Sequence, residues 1–563
     1  GSLWRSTGAV NLAVRVVYDD VSGDDEAFSS RRDAFVRASQ AALAAAGAGA
    51  CGTRLTLNVA GRCLSGVDKF LNYGGGGGGE EIGIVDAVVS HPAARHVEEL
   101  RVGVAGPMYR TDGAEQRPWQ EARRWRSDDI YTYTLSFASL PSATLRVLDI
   151  TECNFSDSKL ALPDAGVAFP RLDTLRLRLC AVRLAHLQRL IDAAPALATV
   201  HLESVYFEFN IYLDYYGVYG GLVAVESRLL LRCPAATELA MEFCGSSSYI
   251  NSHLDGGIGI DAPKLRSFRY TGHPRRFYLE SPAPEMTAVN IHFIDGDHRF
   301  ADRLWRFLGN FTNVKILKLT VQELGHLAVA GKARRAELLC KFGNLERLEL
   351  EAVRKPTKTQ APAPPPAVAI ANLLHCCPAL VDLSLKLKML NYAWSKNNSM
   401  YLSSFHAKFK PDFDKSVGLF MRHKSKMTAV SSSLIDEHHD DKFSNISGLS
   451  GKSFACLNSS LRRVNLQFQL GSASNCFGVR LIRFFAQNAM VLEEMCIDSG
   501  NRKLCEHMNL NVERWVGVDS SKIRLKDKNL TGSSWEFSRI HPDSAPEFER
   551  NATSFKVLPL ERR

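Results

Sequence analysis

The chain has 563 residues, of which 45% are hydrophobic and 23% charged, so it holds ample apolar material for a folded core. Its net charge of +9 is modest for this length and gives no reason to expect nucleic acid as a partner. No apolar run approaches the roughly 18 residues that a membrane-spanning helix needs, so no membrane contact is expected. The 13 cysteines are scattered without a C-x-x-C pair, which favours free thiols in a reducing intracellular compartment, the cytoplasm, the nucleus or both.

The N-terminal part of the chain precedes the repeats and is predicted to cap them. Residues 1–12 look like the end of an earlier segment, and residues 13–96 are interpreted as an N-terminal cap. Within the cap, residues 27–46 predict an amphipathic helix that stops at Gly47. The alternating LTLNV at 55–59 predicts a strand.

Most of the remaining chain repeats the pattern L-x-x-L-x-L. The pattern is clearest at residues 342–353 (FGNLERLELEAV) and again at 376–387 (CCPALVDLSLKL). Between them, residues 367–375 place apolar side chains at the spacing of one helix face. Groups of this kind begin at Val97, Leu145, Leu172, Leu197, Ala236, Leu265, Met286, Val314, Leu345, Leu380, Leu461 and Leu492.

The spacing of these groups predicts the fold class. Groups that begin at 145, 172 and 197 are 27 and 25 residues apart, close to the roughly 20–29 residues of a leucine-rich repeat. The sequence therefore predicts an α/β leucine-rich-repeat solenoid, a horseshoe with parallel strands on its concave face and helices on its convex face. The repeats are assigned to residues 97–390, and the last of them to 461–515.

A segment dense in aromatic residues interrupts the repeats at 206–221. It either packs over the edge of the solenoid, the favoured interpretation, or offers anchors to a protein partner. The candidate anchors are Phe207, Phe209, Tyr212, Tyr215, Tyr216 and Tyr219.

A larger polar insertion covers residues 391–460 and is expected to be a loop or partly disordered. Its DEHHDD run at 436–441 has ligand-type side chains, but adjacent residues on a loop do not form a prepared shell, so a solvated charge cluster is the favoured interpretation over a metal site. The C-terminal tail, 516–563, is expected to be irregular or partly disordered.

Several segments resemble one family. The opening LWRST…VNL looks like the end of an F-box, the helical module that docks on the Skp-type adaptor of cullin-based ubiquitin ligases. SLPSATLRVLDITEC, FPRLDTLRLRLC and CCPALVDLSL resemble the repeats of plant F-box/leucine-rich-repeat proteins, particularly those of grasses. RLIRFFAQNAMVLEEMCID and FKVLPLER resemble the FBD-type region that ends such proteins.

The resemblance implies a non-catalytic subunit that selects a protein substrate for ubiquitylation. Only the tail of an F-box is recognised, so binding of the Skp-type adaptor and cullin is expected only where a full F-box is present. The alternative is a leucine-rich-repeat scaffold or receptor-type interaction protein without a ligase role. No motif of a nucleophilic or metal-dependent enzyme is found, so neither catalytic residues nor cofactors are expected.

A candidate partner-binding surface follows from the repeat itself. In L-x-x-L-x-L, the residue between the last two leucines points out of the concave face. In several successive repeats this position carries a basic side chain, and two neighbouring outward positions add further basic side chains. Either the basic side chains are clustered by chance, or the patch binds an acidic protein segment or a small polyanion. The candidate residues are Arg176, Arg178, His201, Arg269, His292 and Lys318.

Overall fold

A computed structural model describes a chain of repeated strands and helices. It falls into two compact units, Gly1–Met286 and Thr287–Arg563. The described residues are 9–16, 25–47, 53–61, 64–72, 83–105, 133–135, 139–155, 168–208, 229–245, 257–294, 300–354, 366–389, 446, 448–449, 451–468, 477–497, 523–527, 534–539 and 553–556.

The first unit is dominated by strands. Those described are β1 (Ala9–Val16), β2 (Thr53–Gly61), β3 (Val97–Ala105), β4 (Tyr133–Thr134), β5 (Val147–Thr151), β6 (Cys153–Phe155), β7 (Thr174–Arg178), β8 (Ala181–Arg183), β9 (Thr199–Glu203), β10 (Tyr206–Glu208), β11 (Leu229–Arg232), β12 (Glu238–Glu242), β13 (Ile258–Asp261), β14 (Ser267–Gly272) and β15 (Phe277–Leu279). The helices are α1 (Asp25–Gly47), α2 (Leu64–Asn72), α3 (Ile84–Val89) and α4 (Leu184–Asp192), with a 3-10 helix at Pro92–His96.

The main sheet of this unit is a parallel ladder, in the order β1-β2-β3-β5-β7-β9-β12-β14. Smaller sheets, β10-β8-β6-β4 and β11-β13-β15, run beside it. Leucines of the repeat face inward: Leu148 and Leu175 are in register and fully buried. A strand buries alternate residues on one face, so the apolar column forms the core and the intervening residues face solvent.

A recurrent corner turns the chain out of each strand. Glu152, Leu179, Ser204 and Phe243, which follow β5, β7, β9 and β12, all have φ between 51° and 59°. The N–H of Glu152 donates to the Arg178 carbonyl oxygen at 2.9 Å, and the N–H of Leu179 donates to that of Glu203 at the same distance. Left-handed backbone costs a non-glycine residue about 1 kcal/mol, and these bonds between neighbouring repeats offset that cost.

The second unit repeats the same plan. Its parallel ladder runs β16-β17-β18-β19-β20-β21, and a separate antiparallel sheet follows in the order β22-β23-β24. The strands are β16 (Ala288–Phe293), β17 (Ile316–Val321), β18 (Arg347–Arg354), β19 (Asp382–Met389), β20 (Arg463–Phe468), β21 (Glu494–Ile497), β22 (Ile523–Asp527), β23 (Ser534–Arg539) and β24 (Thr553–Lys556). The helices are α5 (Phe300–Leu308), α6 (Lys332–Leu338), α7 (Pro366–Cys376), α8 (Ala455–Ser459) and α9 (Phe477–Asn488), with 3-10 helices at Gly309–Phe311 and Leu324–Leu327.

The start of the chain differs from the sequence interpretation. Residues 9–16 form β1 and pair in parallel with β2, so the ladder begins upstream of residue 97, in the segment interpreted as an F-box tail and a cap. Val10 and Leu12 pair with Leu55 and Leu57. These two strands lack the first leucine of L-x-x-L-x-L, which is why the repeat pattern did not include them. The predicted helix over 27–46 lies within α1, and LTLNV lies within β2.

Two other expectations are corrected in the second unit. The end of the polar insertion is packed rather than loop-like: Ile446, Leu449 and Phe454 are buried and α8 follows. The tail was predicted to be irregular, yet β22, β23 and β24 lie within it, and β24 contacts β21 of the ladder. β22, β23 and β24 are short strands without the L-x-x-L-x-L pattern, so the search for leucine repeats did not predict them. The 436–441 run lies outside the described residues.

Candidate functional site

The outward-facing column predicted from the repeat is present in the first unit. Asp149 pairs with Arg176, Arg176 with His201, His201 with Ala240, and Ala240 with Arg269, each in the register of the parallel ladder. Neighbouring strands of a sheet are about 4.8 Å apart, so these side chains form one continuous row. The strand surface therefore presents the predicted residues together.

A second outward row lies beside the first. Arg178, Glu203 and Glu242 pair across β7, β9 and β12. This row adds two glutamates, whereas the acidic side chain of the first row is Asp149. The sequence prediction took Arg178 and His292 from this next outward position, two residues further along the strand. It did not read the same position on β9 and β12, and so missed Glu203 and Glu242.

Arg178 is held by one of the first row's own residues. Its Nη2 donates to Asp149 Oδ1 at 3.1 Å, and the Asp149 side chain is 9% exposed whereas that of Arg178 is 46% exposed. A nearly buried carboxylate needs a cationic or hydrogen-bonding partner. Arg178 therefore stabilises the Asp149 carboxylate as well as contributing charge to the surface.

His201 and Arg269 converge on Glu242. Arg269 Nη1 donates to Glu242 Oε1 at 3.3 Å, and His201 Nε2 lies 3.7 Å from the same oxygen. His201 first, and Arg269 after it, hold the pKa of Glu242 below its ordinary value against the opposing effect of burial. Two members of the predicted basic patch are thus partly neutralised by an acid 41 and 27 residues away in sequence.

Arg176 differs from its neighbours. Its side chain is exposed, and no acidic partner lies beside it among the described residues. Glu203 and Glu238, on the next two strands of the ladder, likewise have no ion pair within the described part of the chain. The face thus carries an uncompensated cation on β7 and uncompensated carboxylates on β9 and β12.

The two remaining predicted residues lie in the second unit. Lys318 pairs with Asn290 on β16, and His292 lies on the same strand as Asn290. Lys318 Nζ is 3.3 Å from Glu349 Oε1, to which Lys386 Nζ also donates at 2.7 Å. Burial raises the pKa of Glu349, but the two ammonium groups outweigh this and lower it overall. Lys318 is therefore part of an alternating ion-pair row.

The aromatic candidates separate into one core residue and five that the structure does not describe. Phe207, on β10, is 2% exposed and packs in the core, so it does not serve as a surface anchor. Its inward position follows from the alternation along β10, where the flanking Tyr206 is half-buried. The other candidates, Phe209, Tyr212, Tyr215, Tyr216 and Tyr219, lie outside the described residues.

Within the described ranges, no group of three or more His, Cys, Asp or Glu side chains is arranged to hold a metal ion. In that same part of the chain, every helix is too short or too polar to span a bilayer.

The parallel ladders, with buried leucines and a solvent-facing strand surface, define a leucine-rich-repeat protein. Residues 85–213 match the family model described as "FBD-associated F-box protein At5g56370, LRR repeats". The match runs from α3 to just beyond β10 and includes Arg176, Arg178 and His201. It makes the chain similar to the repeats of a plant F-box-associated family and indicates a protein-interaction role. No curated protein matches the chain significantly.

Proposed function

We propose that the chain is a non-catalytic recognition subunit that binds a protein through the strand surface of its first unit and presents it to a cullin-based ubiquitin ligase. The observation that carries the binding part is the strand surface from Arg176 to Arg269, which places Arg176, His201 and Arg269 in register on one solvent-facing surface with Glu203, Glu238 and Glu242 beside them. A row with both signs of charge selects a partner by electrostatic complementarity.

The distribution of charges on the strand surface indicates which charges the partner carries. Arg176 is the cation on this face that no described acid neutralises, so an acidic group of the partner belongs over β7. Glu203 and Glu238 favour a basic group about 5–10 Å further along the ladder, one or two strand spacings away. The sequence analysis weighed an acidic protein segment or a small polyanion; the mixed charges of this surface favour a protein partner that carries both charges.

The ligase part of the proposal is supported by the family match and by the F-box-like and FBD-like segments of the sequence. The eight cysteines whose side chains the structure describes are free, which supports a reducing compartment such as the cytoplasm or the nucleus. The alternative is the same binding surface on a scaffold with no link to ubiquitylation.

Partner binding is tested by proximity labelling with the full chain, followed by affinity measurements on each captured protein. Arg176→Glu should weaken a true partner by roughly tenfold, and the loss should shrink as salt rises. The matched control is Arg171→Glu, an exposed arginine in the turn before β7, which should bind as wild type does. Equal affinity of Arg176→Glu and wild type across the salt range would refute the strand surface as the binding site.

The ligase link is tested separately. An F-box fused before Gly1 should join the chain to a Skp-type adaptor and cullin, and the captured partner should then acquire ubiquitin and decline in abundance. The Arg176→Glu version of the fusion should ubiquitylate less of the partner than the unmutated fusion does. A partner that binds the fusion but is never ubiquitylated would favour the scaffold alternative.

A further inference from the structure

The helices of the second unit carry a concentration of positive charge that the strand surface does not share. Two ion pairs join α5 to α6: Arg334 Nη2 donates to Asp302 Oδ1 at 2.6 Å, and Arg306 Nη2 lies 3.4 Å from Glu337 Oε1. Asp302 and Glu337 are the acidic residues of these two helices. Both carboxylates are therefore already occupied by arginines.

Two further cations on α6 have no such partner. Lys332 and Arg335 are three residues apart on the helix, so their side chains lie on the same side. Lys332 is exposed and Arg335 half-buried, and neither forms an ion pair with any described residue. Their charge is left to solvent or to a partner.

A third cation near α6 comes from a distant part of the sequence. Lys452 follows a turn whose Ile446 and Leu449 are buried, and a Cβ added at Gly448 would lie 3.1 Å from Val368 Cγ2 on α7. Burial lowers the pKa of Lys452, and the charge of Arg335 lowers it further. The packing of this turn on α7 therefore places Lys452, an exposed cation, within electrostatic range of Arg335.

These residues form a patch, here called the helix-side patch: Arg306, Lys332, Arg334, Arg335 and Lys452. Its five cations face two carboxylates, a net charge of +3. On the strand surface of the same unit, by contrast, Glu349 is shared by Lys318 and Lys386, and Asp382 by Arg347 and Arg463. Like charges held together without counter-charge favour the binding of an anionic partner.

We propose that the helix-side patch binds an acidic segment of a protein, one rich in Asp and Glu. Its unpaired cations are Lys332 and Arg335 on α6 and Lys452 in the segment before α8, a separated set of charges that suits an extended run of carboxylates. Single-stranded nucleic acid is bound on aromatic side chains that stack with its bases. Here Trp305 and Phe307 of α5 are at most 1% exposed, so they offer no stacking platform.

The test measures binding of a fluorescein-labelled peptide of alternating Glu and Ser to the full chain by fluorescence anisotropy. The patch variant combines Lys332→Glu, Arg335→Glu and Lys452→Glu. At about 50 mM salt it should bind the peptide at least roughly tenfold more weakly than wild type, with wild-type affinity falling as salt rises. A control variant, Arg171→Glu, Arg189→Glu and Lys264→Glu, reverses three exposed cations of the first unit and should bind as wild type does.

Two more variants keep the result interpretable. Lys332→Gln, Arg335→Gln and Lys452→Gln removes the charges without adding acids and serves if the reversed variant does not fold. Lys332→Arg, Arg335→Lys and Lys452→Arg keeps the charges and should keep the affinity. Equal peptide binding by the patch and control variants would overturn the proposal. So would tighter, patch-dependent binding of a labelled single-stranded RNA, which would make the patch a nucleic-acid site.

Discussion

The inward leucine column makes a sharp prediction at Leu348, on β18. This side chain is 0% exposed and pairs in register with Leu317 on one side and Leu383 on the other, which are 0% and 1% exposed. Leu348→Ala removes three carbon atoms from a site walled in by neighbouring repeats. Such truncations cost about 3 kcal/mol when the surroundings cannot collapse into the gap.

The expected change in melting temperature follows from that free energy. For a unit of this size, 1 kcal/mol corresponds to about 2–4 °C, so Leu348→Ala should lower the Tm of the second unit by roughly 6–12 °C. Leu348→Asp should do more, because an unpaired buried carboxylate adds several kcal/mol of desolvation.

Ile316 provides the matched control. It lies at the start of β17, pairs with Arg347, and is 41% exposed despite being apolar. Ile316→Ala should cost at most about 1 kcal/mol, the range of strand propensity. The assay is thermal unfolding followed by circular dichroism, with hydrogen exchange to locate the loosened strands. Exchange should quicken first in β17, β18 and β19, since each repeat contacts only its neighbours. If Leu348→Ala and Ile316→Ala melt within about 1 °C of each other, Leu348 is not in the core and the register is wrong.

Three further predictions concern the charged and sulfur-containing side chains. Arg178→Ala should lower the Tm more than Arg176→Ala, because only Arg178 covers the nearly buried Asp149; equal losses would contradict that role. Because the pKa of Glu349 is lowered in the folded chain, its contribution is present at neutral pH and is lost as pH falls through the folded pKa, so Tm should drop more between neutral and acid pH in wild type than in Glu349→Gln. Burial raises the pKa of Cys180 to about 12 and that of Cys340 to about 11, and Cys340 is the more exposed, so a short pulse of iodoacetamide read by mass spectrometry should label Cys340 first.

The sequence determined the repeat and the direction of its side chains. Leu345, Leu348 and Leu350 recur as Leu380, Leu383 and Leu385, and all six are at most 1% exposed. A strand alternates its faces every two residues, so a local pattern is enough to say which residues point outward. The row through Arg176, His201 and Arg269 therefore follows from the amino-acid sequence alone.

Tertiary structure decided what lies beside each outward residue. Glu242 meets His201 and Arg269, and Asp149 meets Arg178, only because the strands pair in one particular register across repeats of unequal length. Lys452 lies within electrostatic range of Arg335 because a buried turn packs on α7. From Asp149 to Arg269, residues in register on successive strands are 27, 25, 39 and 29 residues apart, so no fixed spacing in the sequence marks the pairs. The same holds for β1 and for the sheet β22-β23-β24, whose short strands acquire their positions from the ladder they contact.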